Sequence, residues 1–332
     1  MIAPDELVHA SQSKKRRHTT ESTDKENAHI LDTGVPHKHD IPEDNNDSDN
    51  TGVETLLFVE FFAGSGNLSA AVAAMGIETA EPQDILHGGI DFTDENEVMS
   101  AWADLQAWRD AGYYLVVHLA PPCSTFSRAL DRNKHRLRST AFPMGLPQLS
   151  ERPDKAAEVE AHNQIAALCA KTADFVTEAL GCDVTWEQPS GNYMFLFLHA
   201  CNLLDYEHQD HVLHQCRFGR PYKKATTFRC FGQFQPRQLA LKCTFNEVSG
   251  LYSCGRAEHE HLEFGGASTR AAATYPESLC FAYAAALQAF AKTFSAISRV
   301  ILTTEGKVKR HVDRGEEKAF GKGKKTSRGC GV

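Results

Sequence analysis

Residues 119–128 read Leu-Ala-Pro-Pro-Cys-Ser-Thr-Phe-Ser-Arg and set one thiol, Cys123, directly behind two prolines. The apolar run before them, Tyr113 to Leu119, has the composition of a buried parallel strand. Prolines end a strand and stiffen the backbone at its carboxyl end, which is where open α/β sheets bind ligands. A thiol on such a turn is a candidate nucleophile, and the plainer alternative is a packed cysteine. The same pattern returns at Asp183-Val-Thr-Trp186, an apolar strand that delivers Glu187, Gln188 and Pro189. If both strands run parallel in one sheet, Cys123 and Glu187 share a cleft. Between them, residues 128–138 hold five cations (Arg128, Arg132, Lys134, Arg136, Arg138), His135 and one acid, Asp131. A run of this kind draws in anions and lowers the pKa of a nearby thiol, or is simply a solvated face.

These residues need elements to hold them. Leu56-Leu-Phe-Val-Glu-Phe-Phe62 reads as a first strand, broken only by Glu60. It runs into Ala63-Gly-Ser-Gly-Asn67 and a helix from Leu68 to Met75 closed by Gly76. Glycines between a strand and a helix N-terminus let a ligand approach bare backbone. No third glycine stands at the dinucleotide spacing and no Gly-Lys-Ser/Thr follows, so a nucleotide here is not expected to be held by its phosphates. A second strand, Glu78 to Glu81, leads to Asp84, eighteen residues past Gly66 and near the place of a ribose-binding acid. Asp94 with Glu97 predicts a capping box for a helix carrying Val98, Trp102, Leu105 and Trp108 inward, the tryptophans as core. Further helices are expected over about 154–180, 195–206 and 278–302. Residues 139–153 are expected to be loop.

The formal net charge of −8 is uneven. Residues 1–54 are acidic (−6) and lack apolar periodicity, so a disordered tail is expected there. Residues 303–332 form a second, basic one (+5). A globally basic nucleic-acid binder is excluded, and contact with phosphates has to come from local patches. Ten scattered cysteines and no secretory signal favour reduced thiols in the nucleus or cytoplasm. Lys14-Lys-Arg-Arg17 as a candidate import signal tips that toward the nucleus. No apolar run is long enough to span a membrane. Cys243, Cys254, His259 and His261 could ligate zinc, but their spacing fits no standard finger or ribbon, and no metal is expected.

Over residues 56–231 the chain resembles the cytosine-C5 methyltransferase family. Pro121-Pro-Cys-Ser-Thr-Phe-Ser127 is similar to its Pro-Pro-Cys-x-x-Phe-Ser motif, and Phe62-Ala-Gly-Ser-Gly66 to its S-adenosylmethionine loop, with Glu60 in place of the leading aspartate. Gly89-Ile90-Asp91 stands near the adenine contact, Trp186-Glu-Gln-Pro189 in place of Glu-Asn-Val, and Phe218 to Phe228 near the Tyr-Gly-x-Pro-Gln-x-Arg-x-Arg segment. The resemblance implies a doubly wound, mostly parallel α/β sheet of the class I S-adenosylmethionine-dependent methyltransferase type. It implies S-adenosyl-L-methionine as cofactor and DNA as partner, with RNA the nearest variant, and a monomer without membrane contact is expected. Implied catalytic residues are Cys123, Glu187 and Lys224. Implied cofactor residues are Phe62, Ala63, Gly64, Ser65, Gly66, Asn67, Asp84, Asp91 and Pro121. Implied nucleic-acid contacts are Ser124, Arg128, Arg132, Arg136, Arg138 and Lys223.

The organisation expected is a catalytic core over 55–231, an irregular and reduced recognition region over 232–270, and a packing helix over 271–302. The sequence departs from the family at Gln188 and Pro189, and at Lys224 and Thr226, which replace an arginine pair. Three readings stay open: an active cytosine-C5 methyltransferase, a degenerate module that binds without turnover, and a methyltransferase for another substrate.

Overall fold

A sheet of strands too apolar to face water dictates the architecture. The computed structural model describes residues 55–132, 136–260 and 273–294, with Arg132 described in its backbone alone. The expectations for the two tails, the Lys14–Arg17 run, Lys134, His135, His261 and the end of the last helix fall outside these residues.

Six strands form the sheet: β1 (Thr55–Phe61), β2 (Glu78–Thr79), β3 (Tyr113–Leu119), β4 (Asp183–Pro189), β5 (Gln209–His214) and β6 (Ala225–Phe231). Their order is β2-β1-β3-β4-β6-β5. The first four in that order run parallel, and β6 is inserted antiparallel between β4 and β5. This is the doubly wound, mostly parallel sheet expected for the class I methyltransferase type. A separate two-stranded hairpin, β7 (Phe245–Asn246) with β8 (Leu251–Tyr252), lies in the region expected to be irregular.

Side chains alternate across a strand, so each strand serves both faces. On one face Phe58, His118 and Phe228 meet Tyr283 of a helix over 277–294, here α5. Helix α1 (Asn67–Ala74) lies on that face too, because Glu60 reaches Ser69 and Gln288 of α5 donates to the Met75 carbonyl at 2.7 Å. The other face takes α2 (Glu95–Asp110) and α3 (Pro153–Asp174), joined by Trp102 Nε1 donating to Thr172 Oγ1 at 2.9 Å. Trp102 also stacks on Phe175, so its expected place in the core holds. Helix α4 (Met194–Ala200) packs on α3 and is shorter than the helix expected over 195–206, ending in left-handed Asn202 and Leu204.

Two local expectations need correction. Asp94 caps α2 through Asn96 N, but Glu97 accepts from Asp91 N instead of closing a box with Asp94. Glu187 and Gln188 lie inside β4, not beyond it, because β6 pairs with that strand as far as Pro189.

Registry then sets the site. Phe61 pairs with Leu119, and Leu119 with Trp186, so β1 and β3 end level with Trp186 and β4 runs on to Pro189. The glycine loop, the Pro-Pro-Cys turn and Glu187 therefore emerge along one edge of the sheet.

Candidate active site

Cys123 sits on a turn fixed from several sides. Its carbonyl accepts from Phe126 N (3.1 Å), and the Phe126 carbonyl accepts from Tyr193 N (2.9 Å). Thr125, buried, is held by His162 Nδ1 at 2.8 Å and by Arg138 Nη2 at 2.9 Å. Gln188 spans from β4 to the turn, donating to the Pro121 carbonyl at 2.8 Å, while its own oxygen accepts from Asn192 Nδ2. The departure from the family pattern at position 188 thus places a strut under the cysteine turn.

Glu187 is buried, with Oε1 lacking a hydrogen-bond partner. Burial raises its carboxyl pKa, while Lys224 and a hydrogen bond from Tyr275 pull it down. Burial also raises the Cys123 thiol, the Glu187 charge adds to the rise, and Lys224 opposes it. Thiol, carboxyl and ammonium therefore act on one another electrostatically. Behind Glu187 runs a buried polar chain. Tyr275 OH lies 3.1 Å from His118 Nε2, His118 Nδ1 lies 2.8 Å from Thr185 Oγ1, and that hydroxyl lies 2.8 Å from Tyr283 OH. Burial holds the His118 imidazole pKa down to about 3, so the ring is neutral. Tyr275 enters from the segment before α5, anchored by Arg220 donating to the Thr274 carbonyl and Ser278 to the Phe218 carbonyl, both at 2.7 Å. The sequence offered no sign of it, since its contact to Glu187 is purely tertiary.

The glycine loop follows β1 as expected. Phe62, Gly64 and Gly66 take positive φ (62°, 55° and 67°), and Asn67 opens α1. A Cβ on Gly64 would meet nothing within 4 Å, so open space adjoins that backbone. Ala63 N is taken by the Gln83 carbonyl, and Ser65 and Asn67 are exposed. Glu60 accepts from both the amide and the hydroxyl of Ser69, tying β1 to α1 under the loop.

Two of the expected acids are committed to backbone. Asp84 accepts from Gly64 N (2.8 Å) and Leu86 N (2.9 Å), so it shapes the glycine turn. Asp91 accepts from the amide and hydroxyl of Thr93 (2.8 and 2.7 Å). Neither lines the cleft of about 360 Å³ between the sheet and α2. Its walls include Phe61, Ile90 and Trp108, with Glu81, Gln83 and Asp104 as polar groups. Glu81, passed over in the sequence, is an exposed acid at that cleft, two residues beyond the short β2 strand. Flat apolar walls with acids and an amide suit a heterocycle bearing hydroxyl and amino donors, and they disfavour phosphate. The acceptors of this cleft thus fit the hydroxyl and amino groups of S-adenosylmethionine, and none of residues 62–67 lines it.

The basic run divides. Arg138 is not a surface cation: it is 1% exposed, donates to the Thr125, Pro143 and Val159 carbonyls and to Asn163 Oδ1, and lies 3.6 Å above the Phe126 ring. Burial lowers its pKa to about 9, so it stays charged at neutral pH as an internal brace. Arg128 and Arg136 are exposed beside Tyr193, Arg128 at 5.2 Å from its ring and Arg136 donating to its hydroxyl at 3.3 Å. Arg136 also pairs with Asp131 at 3.3 Å. Ser124 is exposed on the same turn. Lys223 points elsewhere, 5.9 Å from the Tyr252 ring of the hairpin, and Thr226 is buried against Gln215.

No family model matches the chain, and no curated protein matches its sequence. Among solved structures it is similar to a methyltransferase of Entamoeba histolytica, EhMeth, at 13% identity and a TM-score of 0.32, covering 55% of each chain. It is similar also to the Dnmt2 methyltransferase of S. pombe, at 12% identity and a TM-score of 0.30, covering 64% of this chain and 61% of that one. The chain spans somewhat over half the length of these structures.

Proposed function

We propose that the protein transfers a methyl group from S-adenosylmethionine to C5 of cytosine in DNA through a covalent Cys123 adduct at C6. The observation that carries this reading is Glu187, a buried carboxyl with one oxygen unpartnered, acting on both the Cys123 thiol and Lys224. A buried oxygen left without a partner costs free energy that a ligand hydrogen bond would recover. The ring nitrogen and amino group of a cytosine extruded from the stack offer such a bond.

In this mechanism Lys224 opposes the burial that keeps the thiol protonated, and the thiolate adds to C6. Glu187 takes up the thiol proton and passes it to N3, so the ring becomes an enamine nucleophilic at C5. Bound cofactor supplies the methyl group on a sulfonium. Once C5 is methylated, its proton leaves to a base, the C6–S bond breaks, and N3 returns its proton to Glu187. Glu81 offers the ribose hydroxyls the acid that Asp84 has committed to the loop. Arg128 and Arg136 offer charge to the flanking phosphates.

Against the degenerate reading stands Gln188, which links β4 to the cysteine turn and so gives the altered motif a structural part. The test is incubation with labelled S-adenosylmethionine and DNA or RNA containing 5-fluorocytosine, whose fluorine blocks the last proton loss. A covalent adduct on DNA that disappears in Cys123→Ser supports the proposal. An adduct on RNA alone would move the substrate to RNA. Cofactor binding with no adduct on either polymer would overturn it in favour of a binding module.

A further inference from the structure

Far from Cys123 in the sequence, four more side chains converge. The sulfurs of Cys216, Cys243 and Cys254 and an imidazole nitrogen of His259 all lie within 4.8 Å of one another. The residues come from four places: the short 3-10 turn after β5, the stretch following Leu239, the turn after β8, and the strand-free segment beyond it. All three cysteines are free. Cys216 and Cys243 are 3% and 2% exposed. His259 Nε2 lies 3.6 Å from Cys243 Sγ and 3.4 Å from Cys254 Sγ.

We infer that Cys216, Cys243, Cys254 and His259 bind one structural zinc ion that clamps the β7–β8 hairpin onto the sheet. The distances carry the argument. Zinc bonds of about 2.3 Å to sulfur and about 2.0–2.1 Å to nitrogen, set at tetrahedral angles, put sulfur and nitrogen about 3.5–3.6 Å apart. The two observed sulfur–nitrogen separations straddle that edge length. Three thiolates and an imidazole are soft and borderline donors, suited to zinc and foreign to magnesium or calcium. No oxygen ligand or open position is present in the set, which is the closed form of a structural site. The surroundings are built to hold the ligands still. Cys243 N donates to His214 Nδ1 at 2.8 Å, and His259 packs on the Tyr252 ring at 4.3 Å between centroids. Gly219 and Gly255, both at positive φ, let the chain turn just past Cys216 and Cys254. Three thiolates around a divalent ion leave one negative charge, and Lys223, 5.9 Å from the Tyr252 ring on which His259 packs, is a cation beside the cluster.

The clamp reaches the candidate active site through the turn that holds Cys216. Gln215 N donates to the Lys224 carbonyl at 2.9 Å, and the Phe218 carbonyl receives Ser278 at the start of α5. One knot thus fixes the segments that carry Lys224 and Tyr275. The inference itself does not depend on methyl transfer.

The test uses the full chain without a histidine tag, purified without chelator, with metals read by inductively coupled plasma mass spectrometry. One zinc per chain is expected, falling to near zero in Cys243→Ser and Cys254→Ser and remaining in Cys201→Ser, which lies outside the cluster. His259→Cys, a four-thiolate set, is expected to keep the metal. Because a ligand variant can unfold, wild-type protein exchanged with cobalt supplies a second readout: thiolate-to-cobalt charge transfer together with the d–d bands of a tetrahedral ion. Absence of metal from the wild type, iron in place of zinc, an octahedral cobalt spectrum, or zinc retained at full occupancy in Cys243→Ser would each overturn the inference.

Discussion

At the scale of single residues the decisive quantity is how much of Cys123 is thiolate. Burial and the Glu187 charge raise the thiol's pKa, and Lys224 lowers it, so the two neighbours should move reactivity in opposite directions. At pH 7, below the midpoint, Glu187→Gln is expected to speed alkylation of Cys123 by iodoacetamide. Lys224→Met is expected to slow it. Peptide mapping by mass spectrometry separates Cys123 from the half-exposed Cys201 and Cys254. Equal rates in all three proteins would mean that neither neighbour reaches the sulfur. Cys123 could be placed because it follows a largely apolar strand, whereas Glu187, expected just past β4, lies inside it because pairing with β6 extends that strand. Tyr275 could not be placed, because nothing local to it predicts a contact across the sheet. Arg138 was misread for a related reason: a run of cations looks like a solvated face, and only tertiary carbonyls show that one member is buried.

At the scale of elements, β1, β3 and β4 could be read from sequence, since parallel strands buried on both faces are apolar throughout. Strand β5, Gln-Asp-His-Val-Leu-His, could not, because an edge strand alternates with polar residues and resembles a loop. Of the four proposed zinc ligands, Cys243, Cys254 and His259 could be picked out in the sequence, whereas Cys216 could not, because only folding brings it to the other three. The junction after β6 shows how tightly such elements are joined. Asp183, at the start of β4, accepts from Gln233 N at 2.7 Å and Phe234 N at 2.9 Å. Gly232 turns the chain there at φ 96°, and a Cβ would fall 2.0 Å from Asp183 Oδ1. Gly232→Ala is therefore expected to destabilise the fold by about 2–4 kcal/mol, from strain and from displacing the carboxylate. Gly191→Ala, at φ 74° with nothing within 4 Å, isolates the strain and should cost about 1 kcal/mol. Urea midpoints compare the two, and equal losses would show that Asp183 yields without cost.

At the scale of the whole molecule, two adjacent buried groups titrate in opposite senses. Glu60 of β1 and His118 of β3 are register partners, and both serve the face covered by α5. Burial raises the Glu60 carboxyl pKa to about 7, with Ser69 opposing and Asp84 adding to the rise. Folding then favours the protonated acid. That contribution is complete below the ordinary value of 4.5 and is lost as pH climbs to about 7, a span of about 3 kcal/mol. Burial lowers the His118 imidazole from 6.5 to about 3, so its contribution is complete above 6.5 and is lost as pH falls toward 3. Stability from urea unfolding between about pH 3 and 8 is expected to separate them. Subtracting the Glu60→Gln curve from the wild type should give a difference that changes only between about 4.5 and 7 and declines as pH rises. The matching subtraction for His118→Asn should change between about 3 and 6.5 and decline as pH falls. Because the two groups are neighbours, the double variant should depart from the sum of the singles by more than about 0.5 kcal/mol. Flat difference curves would mean that water reaches this face and that the polar chain behind Glu187 is not held dry.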